Sequence, residues 1–287
     1  MRLISFEKAG KLAVGAVSGD DIVDLTIAAP DLPDDMSRFI AAGQKALDTA
    51  AAAIDDAPDN VKLNLGDIKL LPVVPHPGKI ICLGLNYADH AAEGGHDLPT
   101  YPSLFLRTQS SLVAAGAPVL RTHLSDTLDF EAELLLVIGK TGRNITQADA
   151  LDYVYGYSLF NDVSVREYQR KANQWTPGKN FDGTGPAGPW LVTADELPAG
   201  ADGLKIESRL NGEVMQSSNT KNMIFNVPRT IEILSEIWTL QPGDIVAMGT
   251  PEGVGYARTP PVFMQPGDTV EIEIEGIGVL SNPIVAD

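Results

Sequence analysis

Two glutamates, Glu131 and Glu133, stand at the head of the run Leu128-Asp129-Phe130-Glu131-Ala132-Glu133-Leu134-Leu135-Leu136-Val137-Ile138. The run has the composition of a strand, in which residues i and i+2 face the same way. Both carboxylates therefore project together from a segment that is otherwise apolar. Neighbouring carboxylates partly withdrawn from water repel each other, and they need a proton, a cationic side chain or a metal. A wet strand face is the competing reading, as in Glu271, Glu273 and Glu275. There the acids occupy a whole face, whereas Leu135 and Val137 continue the face of Glu133. A third acid, Asp162, follows the apolar strand-like run at residues 155–161. Three carboxylates without a histidine or cysteine cluster suit a hard cation, Mg²⁺, Mn²⁺ or Ca²⁺, better than Zn²⁺. Such a site leaves coordination positions for water and substrate.

Other residue types add chemistry. In Asn86-Tyr87-Ala88-Asp89-His90-Ala91-Ala92-Glu93-Gly94-Gly95, His90 and Glu93 are one helical turn apart. A carboxylate beside an imidazole orients it and raises its basicity, as a general base for water requires. The glycines that follow suit a movable lid; a plain surface contact is the alternative. Lys179, in a turn-rich aromatic segment, has the chemistry to hold an anionic oxygen. Arg166 and Gln169, three apart beyond Asp162, have that to recognise a carboxylate; an ordinary solvated face would look the same. The loop Gly249-Thr250-Pro251-Glu252-Gly253-Val254-Gly255 either brings backbone N–H groups to a ligand or is a simple turn. Gly139-Lys140-Thr141 lacks the earlier glycine of a phosphate loop, and no Gly-x-Ser-x-Gly elbow occurs. His76, His96 and His123 read as surface residues, and Cys82, within an apolar run, as a small buried hydrophobe.

These residues need elements to carry them. Residues 3–6, 11–17 and 22–25 read as strands, and 36–54 as an alanine-rich helix broken near Gly43. Pro72, Pro75, Pro77 and Gly78 read as a rigid connector, so a small N-terminal αβ domain is expected over 1–72 and a second domain over 78–286. That second part reads as mostly strands, at 79–85, 130–138, 244–248 and 269–275. Helices are expected at 146–154, capped by Thr146, and at 227–238, with Pro228 in its first turn. The fold class is a β-rich α+β protein rather than a βαβ alternation. With 287 residues, 21 basic and 38 acidic, the net charge is −17, which argues against nucleic acid as a partner. No apolar stretch long enough to span a bilayer and no apolar leader is present. These features predict a soluble cytoplasmic protein without membrane partners.

Six ordered motifs resemble the fumarylacetoacetate hydrolase family over residues 78–285. They are Gly84-Leu85-Asn86-Tyr87-Ala88-Asp89-His90-x-x-Glu93, Phe105-Leu106-Arg107, Phe130-Glu131-Ala132-Glu133-Leu134, Asn161-Asp162-Val163-Ser164-Val165-Arg166, Gly178-Lys179-Asn180-Phe181-Asp182 and Gly249-Thr250-Pro251-x-Gly253-Val254-Gly255. The resemblance implies a mixed β-sandwich roll, a homodimer and a Mg²⁺ or Mn²⁺ site at Glu131, Glu133 and Asp162. It also implies a water-activating dyad of His90 and Glu93, and substrate contacts by Lys179, Arg166, Gln169 and Thr250. Arg107 stands where many members have lysine, and Gly183-Thr184 and Ala187 replace larger residues, which suggests an altered pocket. The expected reaction is hydrolysis of a carbon–carbon bond in a 2,4-dioxo acid of the acylpyruvate type. His90 would activate water, and Lys179 with the metal would stabilise the pyruvate enolate. Oxaloacetate decarboxylation or isomerisation of a 2-hydroxy-dienedioate through the same enolate is the alternative. A metal-stabilised binding module without turnover is the remote one.

Overall fold

The computed structural model describes residues 1–89 and 98–287. Its frame is a mixed sheet in which, among the described residues, twelve strands take part. In spatial order the main path is Lys62–Asn64, Asp21–Asp24, Lys11–Ser18, Arg2–Lys8, Gly185–Thr193, Val154–Asn161, Ala132–Ile138, Ile245–Ala247, Ile80–Gly84 and Ser103–Leu106. A second sheet orders Glu213–Asn219, Lys205–Leu210, Thr269–Ile274, Gly278–Ala286 and Val119–Arg121. This is the strand-rich α+β roll that the sequence predicts.

Ala132–Ile138 is buried along its whole length, because both of its faces are covered. Leu134, Leu136 and Ile138 enter a core shared with Ile206, Ile272 and Leu280 of the second sheet and with Ile231 and Leu234 of the helix Val227–Ile237. Leu135 and Val137 enter a different core, with Phe39, Ile40, Ala46 and Ala50 of the N-terminal helices. A continuous apolar run is what a strand covered on both faces requires. Thr269–Ile274 shows the opposite pattern, with Val270, Ile272 and Ile274 inward and the glutamates between them partly exposed.

Residues 1–72 do not pack as a separate unit. Arg2 and Leu3 pair with Val192 and Leu191, so the N-terminal strands continue the main sheet. The proline-rich connector is pinned rather than free: Val73 N–H donates to Ala187 O at 3.2 Å, Ser5 Oγ donates to Val73 O at 2.9 Å, and Val73 and Val74 are fully buried. The helix expected over 36–54 forms as Met36–Ala41 and Gln44–Asp55, separated at Gly43. The helix expected over 146–154 does not form. Thr146 opens a turn, Ala150–Tyr153 is one 3₁₀ turn, and Val154 already pairs with Ile138. Sheet pairing claims the β-branched and aromatic end of that segment before a helix can propagate.

Candidate active site

The register of two strands assembles the acidic cluster. Ala132 lies opposite Asn161 and Glu133 opposite Phe160, so Glu131 and Asp162 meet just beyond the paired ends. Asp162 N–H donates to Glu131 O at 3.0 Å, and Glu131 N–H donates to Asn161 Oδ1 at 3.0 Å. Ligand oxygens of Glu131, Glu133 and Asp162 all lie within 4.8 Å of one another, and all three residues are buried. Glu133 also accepts from Gly249 N–H at 2.9 Å. That contact depends on Gly249, at φ +88°, where a Cβ would stand 2.6 Å from Asn86 Cβ.

Cations hold this cluster from behind and from one side. Lys179 Nζ donates to Glu131 Oε2 at 2.8 Å and to Asp162 Oδ2 at 2.6 Å. Arg166 reaches Asp129 Oδ2 at 2.8 Å through Nε and Glu131 Oε1 at 2.6 Å through Nη1. Arg107 Nη1 is paired with Asp162 Oδ1. Four buried carboxylates, Asp129, Glu131, Glu133 and Asp162, thus face three buried cations, Arg107, Arg166 and Lys179. Among the described residues one negative charge is left over, and leaving such a charge buried is costly. Burial, reinforced by Asp162 and Glu131, pushes the Glu133 carboxyl well above its ordinary pKa. Three converging carboxylates, the donor set that the described residues supply, fit a hard divalent cation. Burial acts to lower the pKa of Lys179, but Asp162 and Glu131 outweigh it and hold the amine as an ammonium.

A cavity of about 130 Å³ opens onto this cluster. Its wall includes Glu131, Glu133, Lys179, Arg166, Gln169 and Thr250, so every predicted metal-ligand or substrate-contact position except Asp162 lines one space. His90 and Glu93 lie outside the described residues. Arg166 Nη1 donates to Gln169 Oε1 at 2.9 Å, which leaves the Gln169 amide as a donor. Arg166 Nη2 is buried and has no hydrogen-bond partner among the described residues. Cys82 is fully buried, and burial followed by Asp162 and Glu133 raises its thiol well above the usual value. It is an inert core residue.

Several site residues were not singled out for chemistry in the sequence. Asp129 accepts from Phe130, Gly255 and Tyr256 N–H groups at 2.9, 2.8 and 3.0 Å besides binding Arg166. It thereby ties the glycine-rich loop to Arg166. Its signal was present, since Asp129, Glu131 and Glu133 share one period of two. Gln216, on a strand of the second sheet, takes Ala132 N–H at 3.0 Å on Oε1. A backbone N–H only donates, so this contact fixes the amide orientation. Nε2 then donates to Thr250 Oγ1 at 2.8 Å and to Pro251 O at 2.8 Å. With its oxygen accepting from Gln216, Thr250 has its own hydroxyl proton free for a ligand. Nothing in the local sequence marks Gln216.

The altered-pocket expectation at residues 183–187 needs correction. Gly183, Thr184 and Ala187 do not line the cavity. Arg107 Nη2 donates to Thr184 Oγ1 at 2.9 Å. The two unusual positions therefore form a pair behind Asp162.

Residues 79–285 match the family model described as fumarylacetoacetate hydrolase, C-terminal. The chain belongs to the fumarylacetoacetate hydrolase family. It is 41% identical over 291 residues to the mitochondrial oxaloacetate tautomerase of Xenopus laevis, spanning 99% of this chain and 90% of that protein. Among solved structures it is similar to the fumarylacetoacetate hydrolase of Exiguobacterium antarcticum, with a TM-score of 0.85, 37% identity and full coverage of both chains. It is also similar to the maleylpyruvate hydrolase of Sphingobium sp. SYK-6, whose structure holds manganese(II) and pyruvate, with a TM-score of 0.83 and 31% identity over 100% of this chain and 99% of that one. These family members are named as enzymes acting on small organic acids. The cytoplasmic expectation is overturned by the frog relative, a mitochondrial protein. That expectation weighs only an apolar leader, whereas organelle-targeting segments are amphipathic.

Proposed function

We propose that this protein interconverts the keto and enol forms of a short 2-oxo acid, with oxaloacetate the first candidate. The observation that carries the reading is the Lys179 ammonium, fixed between Glu131 and Asp162 at the cavity wall. The near-full-length identity to an oxaloacetate tautomerase supports it. When bound at Glu131, Glu133 and Asp162, Mg²⁺ or Mn²⁺ (Ca²⁺ as a non-physiological occupant) supplies Lewis-acid polarisation of a carbonyl oxygen. As the C3 proton leaves to a base and the electron pair moves onto the 2-oxo oxygen, Lys179 donates a charge-assisted hydrogen bond to that oxygen, which then takes a proton to complete the enol. Arg166 and Gln169 orient a substrate carboxylate, and Thr250, with its proton freed by Gln216, donates to the same ligand. Burial makes each of these donors stronger than it would be in water.

Carbon–carbon hydrolysis of a 2,4-dioxo acid is the second reading, favoured by the maleylpyruvate hydrolase with its bound pyruvate. It requires water activation by His90 oriented by Glu93, whereas keto–enol interconversion needs no attacking water. Oxaloacetate decarboxylation shares the same enolate. Assembly as a homodimer belongs to the proposal and is checked by sedimentation.

The test incubates the enzyme and Mg²⁺ or Mn²⁺ with oxaloacetate and a panel of acylpyruvates. Enol absorbance and product NMR are followed for wild type, His90→Ala and Lys179→Met. Accelerated oxaloacetate equilibration is expected, with kcat lowered about 10²–10³-fold in Lys179→Met. Acylpyruvate cleavage that His90→Ala abolishes, without any oxaloacetate equilibration, would replace the first reading by the second.

A further inference from the structure

Resting on the proposed keto–enol activity, we infer that Arg170 makes this a dicarboxylate site, by taking the carboxylate distal to the reacting 2-oxo group. Arg170 lines the cavity beside Arg166 and Tyr256. It is exposed, and among the described residues it has no carboxylate partner. Its neighbours differ. Lys171 is paired with Glu167 at 3.1 Å, and Arg166 is paired with Asp129 and Glu131.

Arg170 is nevertheless held in place. Its Cζ lies 4.4 Å from the Tyr256 ring centroid, and Arg166 Cζ lies 4.6 Å from the same ring. The two guanidinium carbons therefore lie no further apart than about 9 Å. Stacking on an aromatic face restrains a guanidinium while leaving its in-plane N–H donors free. Tyr256 is itself fixed, since its N–H donates to Asp129. On the inner side, the buried Nη2 of Arg166 has no hydrogen-bond partner among the described residues. The wall thus offers the one unfilled nitrogen of Arg166, Nη2, deep in the cavity and the guanidinium of Arg170, without a carboxylate partner among the described residues, at its rim, both against Tyr256. A four-carbon diacid presents two carboxylates joined by a short chain, and guanidinium forks match carboxylates one to one. The inner arginine takes the end next to the reacting carbonyl, and Arg170 takes the far end.

The experiment compares the wild type, Arg170→Gln and Arg170→Lys with Mg²⁺ fixed. One arm measures C3 proton exchange by NMR in D₂O for oxaloacetate and for 2-oxobutyrate, which has the same chain length without the second carboxylate. The other arm measures calorimetric binding of malate and of 2-hydroxybutyrate, and so does not depend on turnover. Wild type is expected to prefer the diacid in both arms. Arg170→Gln should lower the diacid-to-monoacid ratio by about tenfold or more through KM and Kd, and Arg170→Lys should recover part of it. Equal losses for both acids, or an unchanged ratio, would overturn the assignment, as would a wild type that binds malate no tighter than 2-hydroxybutyrate. A wild type that leaves the oxaloacetate C3 protons unexchanged refutes the keto–enol reading, while the binding arm still decides the role of Arg170.

Discussion

At the scale of single residues, the site is a balance of buried charges, and Asp129 shows how tightly it is drawn. This fully buried carboxylate serves three backbone N–H groups and the Nε of Arg166. In Asp129→Asn, an amide NH₂ must face some of those donors. Stability is expected to fall by about 3 kcal/mol, the range seen when one partner of a buried pair is lost; urea unfolding measures it. The convergence of Glu131, Glu133 and Asp162 has its own consequence. A divalent cation bound there only in the folded state would add about 2.7 kcal/mol at about 100 times its Kd. For a chain of this size the melting temperature should rise by about 5–10 °C. Differential scanning calorimetry with and without Mg²⁺ or Mn²⁺ checks this, and Glu131→Gln should remove most of the shift.

At the scale of elements, function depends on how closely short pieces approach. Lys179 ends the turn Thr176–Lys179, which packs against the short helix Arg166–Gln169. A Cβ on Gly178 would stand 2.3 Å from Gln169 N and 2.5 Å from its Cα, so in Gly178→Ala the two pieces must part. Because Lys179 and Gln169 move with them, kcat/KM should drop about 10²-fold, as expected for an ångström-scale misplacement. Steady-state kinetics reads this loss, and near-native far-UV circular dichroism would separate misplacement from unfolding. The failed helix at 146–154 makes a related point. Thr146 Oγ1 donates to Asp149 Oδ2 at 2.7 Å, a side-chain pair rather than the backbone cap expected there, and from Val154 the chain belongs to a sheet.

At the scale of the whole molecule, the N-terminal strands and helices complete the fold. Leu3, Val14, Phe39, Ile40 and Ala50 share a core with Leu135, Cys82 and Leu191. Removing residues 1–78 would open that core and leave Gly185–Thr193 as an uncovered sheet edge. The truncated chain is therefore expected to aggregate or to lose its cooperative thermal transition, as size-exclusion chromatography and calorimetry would reveal. An independently folding, monodisperse fragment would show that the shared sheet is dispensable.

The sequence by itself determined the local chemistry. A period of two put Glu131 and Glu133 on one face, and the absence of sulfur and imidazole partners marked a hard-cation donor set. Ordered motifs named the family, and alternation named the strands. The tertiary structure decided what no local pattern encodes. The register between two antiparallel strands carries Asp162 to Glu131. A second sheet supplies Gln216 to orient Thr250, and Arg107 and Thr184 meet behind the cluster although 77 residues separate them. Spacing along a chain fixes direction over a few residues, whereas contacts between distant segments follow from which apolar faces must be buried together.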